Sequence, residues 1–208
     1  MMKIRTVVGS LAAAALLFAG PALAQVGAQD VGERLRVEDQ PMTAGLDVRA
    51  GIGSMTGDLA GNTGTAPLLG IAATAQPVPL FGVEASYDGG RYPIDDALVG
   101  DGEGIWRHNV SLLFKAGPLL AQHWRPFVGA GGGLSIINPS QGAEFLYDND
   151  FTEEIPMAAG VEFKAGALTA GARATYRVML GESFADDASA GSGNGDLFDA
   201  SLTVGGRF

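Results

Sequence analysis

Residues 198–208, Phe-Asp-Ala-Ser-Leu-Thr-Val-Gly-Gly-Arg-Phe, alternate apolar and polar side chains up to the final residue. One face of this ribbon carries Phe198, Ala200, Leu202, Val204, Gly206 and Phe208, and the other carries Asp199, Ser201, Thr203, Gly205 and Arg207. That is the period of two of a half-buried strand. Terminal residues fray unless something ties them down. Pairing the last strand with the first supplies such a tie, and it also closes the sheet into a barrel without edges.

The other end of the chain agrees. Lys3 and Arg5 precede an apolar stretch from Thr6 to Gly20, and Ala22-Leu23-Ala24 is a small-x-small cleavage site, the pattern of an export signal. The apolar stretch is about 15 residues, short of the ~20 needed to span a bilayer as a helix. The expected organisation is a cleaved signal peptide over 1–24, a short polar periplasmic tail over 25–40, and a single barrel domain over 41–208. With 32 glycines and 10 prolines the chain is poorly suited to long helices and well suited to strands joined by many turns. It has no cysteine, so disulfides and thiolate metal sites are excluded.

Seven further segments alternate: Thr43–Gly53, about Ala66–Ala75, Leu80–Tyr87, Ile105–Ala116, about Arg125–Ile137, Ile155–Lys164 and Leu168–Met179. The second barely alternates, and the fifth is glycine-rich at Gly131–Gly133, where a bend is expected. The connections run long and short in turn. Long ones fall at 54–65, 88–104, 138–154 and 180–196, and tight ones near Gln76–Pro79, Gly117–Trp124 and Ala165–Gly166, as in an up-and-down barrel set in an asymmetric membrane. The fold expected is therefore all-β: an eight-stranded antiparallel up-and-down transmembrane β-barrel with a polar, side-chain-filled interior.

Aromatic residues decide which face meets lipid, because in membrane barrels they collect in two girdles. Tyr87, Trp106, Tyr176 and Phe198 fall toward the long loops, and Phe81, Phe114, Phe127, Phe163 and Phe208 toward the short turns, all on the apolar face by this reading. The opposite face carries Asp47, Glu84, Glu162 and Asp199 against Arg49, Arg107, Lys115, Lys164, Arg173, Arg177 and Arg207; Arg125 is assigned to the lipid face at its rim. Eight strands leave a lumen just wide enough for side chains to fill, and an unpartnered charge there is heavily penalised. Arg49, Glu84 and Arg173 are expected to form a central network, with Lys115 and Glu162 pairing nearer the short turns.

The long loops hold fifteen acids, Asp58, Asp88, Asp95, Asp96, Asp101, Glu103, Glu144, Asp148, Asp150, Glu153, Glu154, Glu182, Asp186, Asp187 and Asp196, against one base, Arg91. Solvation accounts for such loops. Divalent-cation capture around Asp148-Asn149-Asp150 and Glu153-Glu154 is the functional alternative, although no ordered calcium spacing is present.

The export signal, eight alternating strands, long outer loops, interior charges and terminal Phe208 together resemble the small outer-membrane barrels of the OmpA transmembrane-domain and OmpX type. The resemblance covers nearly all of the mature chain and is one of architecture. It implies residence in the cell outer membrane among lipid and lipopolysaccharide. It also implies insertion by the barrel-assembly machinery through Phe208 with Val204 and Leu202, while Gly206 departs from the usual aromatic third from the end. The expected role is structural or surface-directed, in envelope integrity or adhesion, as a monomer without cofactor, metal or catalysis.

Other classes fit less well. A narrow pore is the nearest alternative. A lipid A-modifying barrel enzyme needs a His with a Ser on the same face, but two residues from His108 stands Val110, and His123 precedes Trp124 in a turn. A soluble lipocalin-like carrier would be apolar inside and polar outside. Nucleic acid is excluded by a net charge of −10.

Overall fold

The computed structural model describes residues 43–61, 63–94, 102–140, 150–180 and 195–208. The expected signal peptide and periplasmic tail lie outside these residues. So do Asp95, Asp96, Asp101, Glu144, Asp148, Asn149, Glu182, Asp186 and Asp187 of the acidic loops.

Eight strands run in chain order: β1 Thr43–Met55, β2 Ala66–Gln76, β3 Phe81–Pro93, β4 Gly104–Ala116, β5 Trp124–Pro139, β6 Asp150–Ala165, β7 Leu168–Leu180 and β8 Leu197–Arg207. Each pairs antiparallel with its neighbours, and β8 pairs with β1 from Gly45↔Arg207 to Met55↔Leu197, which closes the barrel. The main chains of Ala44 and Phe208 exchange two hydrogen bonds of 3.1 and 3.0 Å, so the final residue is held as its alternating pattern requires. Closure leaves no edge strand to satisfy. The weakly alternating β2 joins in register with both neighbours, Leu69 and Ile71 outward and Leu68 and Ala72 inward.

The strands are longer than the sequence pattern suggested, chiefly at the long-loop end. β3 continues six residues past Tyr87, and β6 starts five residues before Ile155. Both extensions keep the same alternation, so they bring Asp88 and Glu154 into the lumen and set Glu153 on the outer face. These three acids therefore belong to the barrel wall and not to the loops. The tight connections remain: residues 77–80, 117–123 and the two-residue link Gly166–Ala167. In the last, Gly166 has φ of 59°, a left-handed conformation that glycine adopts without steric cost.

β5 faces the opposite way from the sequence-based expectation. Its inward side chains include Arg125 and Phe127, 1% and 6% exposed, while Trp124 and Val128 point outward. Aromatic residues stand on both sides of this strand, so the aromatic rule alone chose the wrong face. Trp124 takes the position in the girdle that had been given to Phe127, with its ring centroid 4.8 Å from that of Phe163 on the neighbouring β6.

Candidate functional site

The outer surface is an apolar belt. Leu46, Val48, Ile52, Leu69, Ile71, Val110, Leu112, Leu202 and Val204 are all exposed on it. In water such a surface would associate, whereas in hydrocarbon it is the required wall. Trp106, Tyr87 and Phe198 flank the belt toward the long loops, and Phe81, Phe114, Trp124 and Phe208 toward the short turns, each more than a third exposed. Tyr176 and Phe163, half-buried, occupy the same two levels. On the long-loop side the Tyr87 hydroxyl lies 2.7 Å from His108 Nδ1, and the Trp106 and His108 rings stack 7° from parallel. Outward Val110 occupies the position two residues from His108.

The lumen is the chemically distinctive region, and it is layered. At the long-loop end Met55, Ala66, Tyr92, Ile94, Ile105, Ile137, Met179 and Leu197 form one buried apolar cluster. Six of these stand at strand ends on the same inward face as an ion deeper in the lumen: Met55 with Arg49, Tyr92 with Glu84, Ile105 with Arg107, Ile137 with Arg125, Met179 with Arg177 and Leu197 with Asp199. The inward face thus changes from ionic to apolar over the last turn of the wall. This cap was not anticipated from sequence.

Beneath the cap lies the first ionic layer. Arg107 donates from Nε and Nη2 to Glu154 Oε1 at 2.8 and 2.6 Å, and both side chains are fully buried. Glu154 also accepts from Ser135 Oγ and, at 3.1 Å, from Asn109 Nδ2. Arg177 spreads its donors over Asp199 (3.0 Å), Asp88 (3.0 Å) and Asn109 Oδ1 (3.2 Å). Arg49 then spans two layers, donating from Nη1 to Asp88 at 3.0 Å and from Nη2 to Glu84 Oε1 at 2.7 Å.

Glu84 is the hub of the second layer. Besides Arg49 it accepts from Arg173 Nη1 at 2.6 Å and from Lys115 Nζ at 2.9 Å, so three cations converge on one carboxylate. Lys115 also donates to Glu162 at 2.7 Å. The structure thereby brings together all five residues singled out from sequence, Arg49, Glu84, Lys115, Glu162 and Arg173. It adds two anions: Glu154, which accepts from Arg107, and Asp88, one of the three acceptors of Arg177. Leu113, Phe127 and Ala158 pack beside this layer, with the Lys115 ammonium 5.2 Å from the Phe127 ring centroid. Cation and aromatic face attract each other at that range.

Nearer the short turns, Glu162 lies 3.7 Å from Arg125 and 3.6 Å from Arg207, and Asp47 accepts from Thr74 and Thr169 at 3.0 and 2.9 Å. Two glycines make these contacts possible. A Cβ at Gly70 or Gly205 would collide with the carboxylate of Asp88 or Asp47, respectively, on the adjacent strand. Charges so buried are tolerated only when their partners satisfy them, and removing one partner typically destabilises by about 3–5 kcal/mol.

An apolar belt between two aromatic girdles, around a lumen filled with paired ions, defines a small transmembrane β-barrel of the outer-membrane class. No family model matches the sequence, and no curated protein matches it. Solved structures do share its fold. Neisserial surface protein A superposes with a TM-score of 0.57 at 13% identity, covering 80% of this chain and 97% of that one. Ail, the attachment invasion locus protein of Yersinia pestis, in complex with the heparin analogue sucrose octasulfate, gives 0.52 at 13% identity over 81% and 100%. OprG from Pseudomonas aeruginosa gives 0.50 at 11% over 80% and 94%. At these identities the likeness is one of fold.

Proposed function

We propose that the protein is a closed, non-conducting, non-catalytic barrel of the outer membrane that anchors acidic loops at the cell surface, serving envelope integrity or adhesion. The single observation that supports this reading is the filled lumen: a buried apolar cap above two layers of mutually paired ions. A conducting pore needs mobile water along its axis, whereas here the axis is occupied by side chains that hold one another in place. Export by the 1–24 signal, a short periplasmic tail over 25–40, recognition of Phe208 by the assembly machinery and contact of the belt with lipopolysaccharide belong to the same reading.

Surface recognition then falls to the loops, and their acids set the sign. Ail was crystallised with a polyanion; loops carrying acids in large excess over bases would repel such a ligand and favour a cationic one, with long-range attraction that salt weakens. The test is conductance in planar bilayers. Refolded protein is expected to give no discrete current steps above the bare membrane, and a steady ohmic conductance in the folded, heat-modifiable form would refute the closed-barrel reading.

A further inference from the structure

An open groove of about 590 Å³ crosses the outer wall from β4 to β7, lined by Leu112, Gly132, Leu134, Glu153, Ile155 and Leu180 among others. We propose that it binds a single-chain amphiphile with a cationic amine head, the chain lying over Gly132 and the head at Glu153. The site is on the lipid side of the wall, so it stands whether or not the lumen is closed to ions.

Gly132 makes the slot. Leu112 pairs with it on β4 and Ile155 lies beside it on β6, both exposed, and a Cβ built on Gly132 would meet no atom within 4 Å. Neighbouring strands lie about 4.8 Å apart, so the side-chain rows of β4 and β6 are separated by roughly 10 Å with β5 between them. Where β5 contributes no side chain, the space between those rows takes one polymethylene chain. A helix, about 10–12 Å across with its side chains, is too wide for it.

Register sets the direction of the slot. From Arg125 on β5 the pairing runs through Glu162, Gly171 and Thr203 to Arg49, then through Gly70, Asp88 and Asn109 back to β5 at Ser135, ten residues nearer the long loops. Each step to the next strand in that order therefore climbs toward the long loops, as the strand tilt of a barrel requires. Glu153 thus sits above its partner Leu134, while Gly132, two residues down β5, sits below both. Leu134 and Ile155 flank the line from Glu153 to Gly132. The slot consequently runs along the membrane normal with its carboxylate at the outer end, the orientation an amphiphile takes in a leaflet.

Charge names the head. Among the described residues Glu153 is the one acid on the outward face of the strands. Exposed Leu134 and Leu180 pair with it on either side, and exposed Phe151 and Ile155 precede and follow it on β6. The four connections at that end, residues 56–65, 94–103, 140–149 and 181–196, contain no Lys or Arg. Arg107 and Arg177 in the same half of the barrel face the lumen, and Arg91, three strands away on β3, donates to the Gly102 carbonyl. The chain thus brings no cation to Glu153. A carboxylate so placed attracts a cation from outside and repels a sulfate or phosphate head.

The test uses the full mature chain refolded in a nonionic detergent, with tracer hexadecyl probes that carry a photoactivatable diazirine at mid-chain and a trimethylammonium, hydroxyl or sulfate head. The trimethylammonium probe is expected to label the slot residues Leu112, Gly132 and Ile155 saturably, in competition with unlabelled hexadecyltrimethylammonium, while the other two heads label the belt evenly. Glu153→Gln is expected to lower slot labelling about fivefold, the upper end for an ion pair at a surface. Gly132→Leu, which fills the slot, is expected to abolish it. Both variants are checked for folding by heat-modifiable mobility. Labelling that does not saturate, equal slot labelling by the three heads, or labelling unchanged in folded Glu153→Gln would each overturn the assignment. Dimers in native mass spectra in place of slot labelling would overturn it too, giving the groove to a second copy of the chain. The comparison of heads on the unaltered protein decides the matter if neither variant folds.

Discussion

Glu84→Gln isolates what the central network contributes, because glutamine keeps the shape of glutamate and removes only its charge. Three cations lie within 2.6–2.9 Å of this carboxylate, and all four side chains are at most 5% exposed. The variant leaves Arg173 with no carboxylate in contact, while Arg49 retains Asp88 and Lys115 retains Glu162. In addition, the new amide places two N–H donors among cations that have no lone pair to receive them. Loss of a buried partner of this kind costs about 3–5 kcal/mol. With a denaturant dependence of ~2 kcal/mol per molar urea, the unfolding midpoint is expected to fall by roughly 1.5–2.5 M. Trp106 and Trp124 stand on the outer face at opposite ends of the wall, so their fluorescence in lipid vesicles follows both ends of the barrel as it unfolds. Adding Arg173→Met removes the stranded cation and is expected to recover ~1 kcal/mol or more, a coupling that a double-mutant cycle measures. A midpoint shift below about 0.5 M for Glu84→Gln, or strict additivity in the double variant, would refute the view that Glu84 is the electrostatic hub.

The inward placement of Phe127 makes Phe127→Ala costly, by about 3–5 kcal/mol in the same unfolding assay, while Phe114→Ala, 60% exposed on the opposite face, is expected to cost less than half as much; equal losses would return Phe127 to the lipid face. Arginine placed on the belt should report depth. Leu202→Arg, at mid-wall between Ala50 and Ala172, is expected to destabilise by about 2–4 kcal/mol, and Leu168→Arg, beside the short turn, by about 0–1 kcal/mol. Equal effects at the two sites would show that the belt does not span a bilayer. In planar bilayers, Glu84→Gln in its folded form is expected to stay as closed as the unaltered protein, since the apolar cap above it is untouched. Current steps from that variant would mean that the ions alone seal the lumen.

Much of this architecture is legible in the chain because a strand has only two faces. Once Asp199 and Arg207 stand opposite Phe198 and Phe208, the orientation of every residue between them follows, and the same holds for Arg49, Glu84, Lys115, Glu162 and Arg173 on their own strands. Strand ends were harder. Nothing local distinguishes Asp88, beside two glycines, from a loop acid, and Glu154 follows a second glutamate that faces the other way. Each is recognised as luminal only when the neighbouring strand supplies a paired residue, Gly70 and Asn109 for Asp88 and Gly133 and Met179 for Glu154. β5 failed for a related reason. With Trp124 and Phe127 on opposite sides, its composition favoured neither face, and the choice was made by Glu162, Gly117 and Leu80, which receive the buried Arg125.

By itself, then, the order of residues determined the number of strands, the alternation within each, the closure of last strand upon first and the ionic character of the inward face, because these depend only on the two-residue repeat and on where turns interrupt it. Tertiary structure alone decided that Asp88 and Glu154 join the network, how far each strand extends, and that an apolar lid covers it. Those outcomes depend on the stagger between strands around a closed wall, which sets residues far apart in the chain, such as Arg173 and Glu84, at the same height in the lumen.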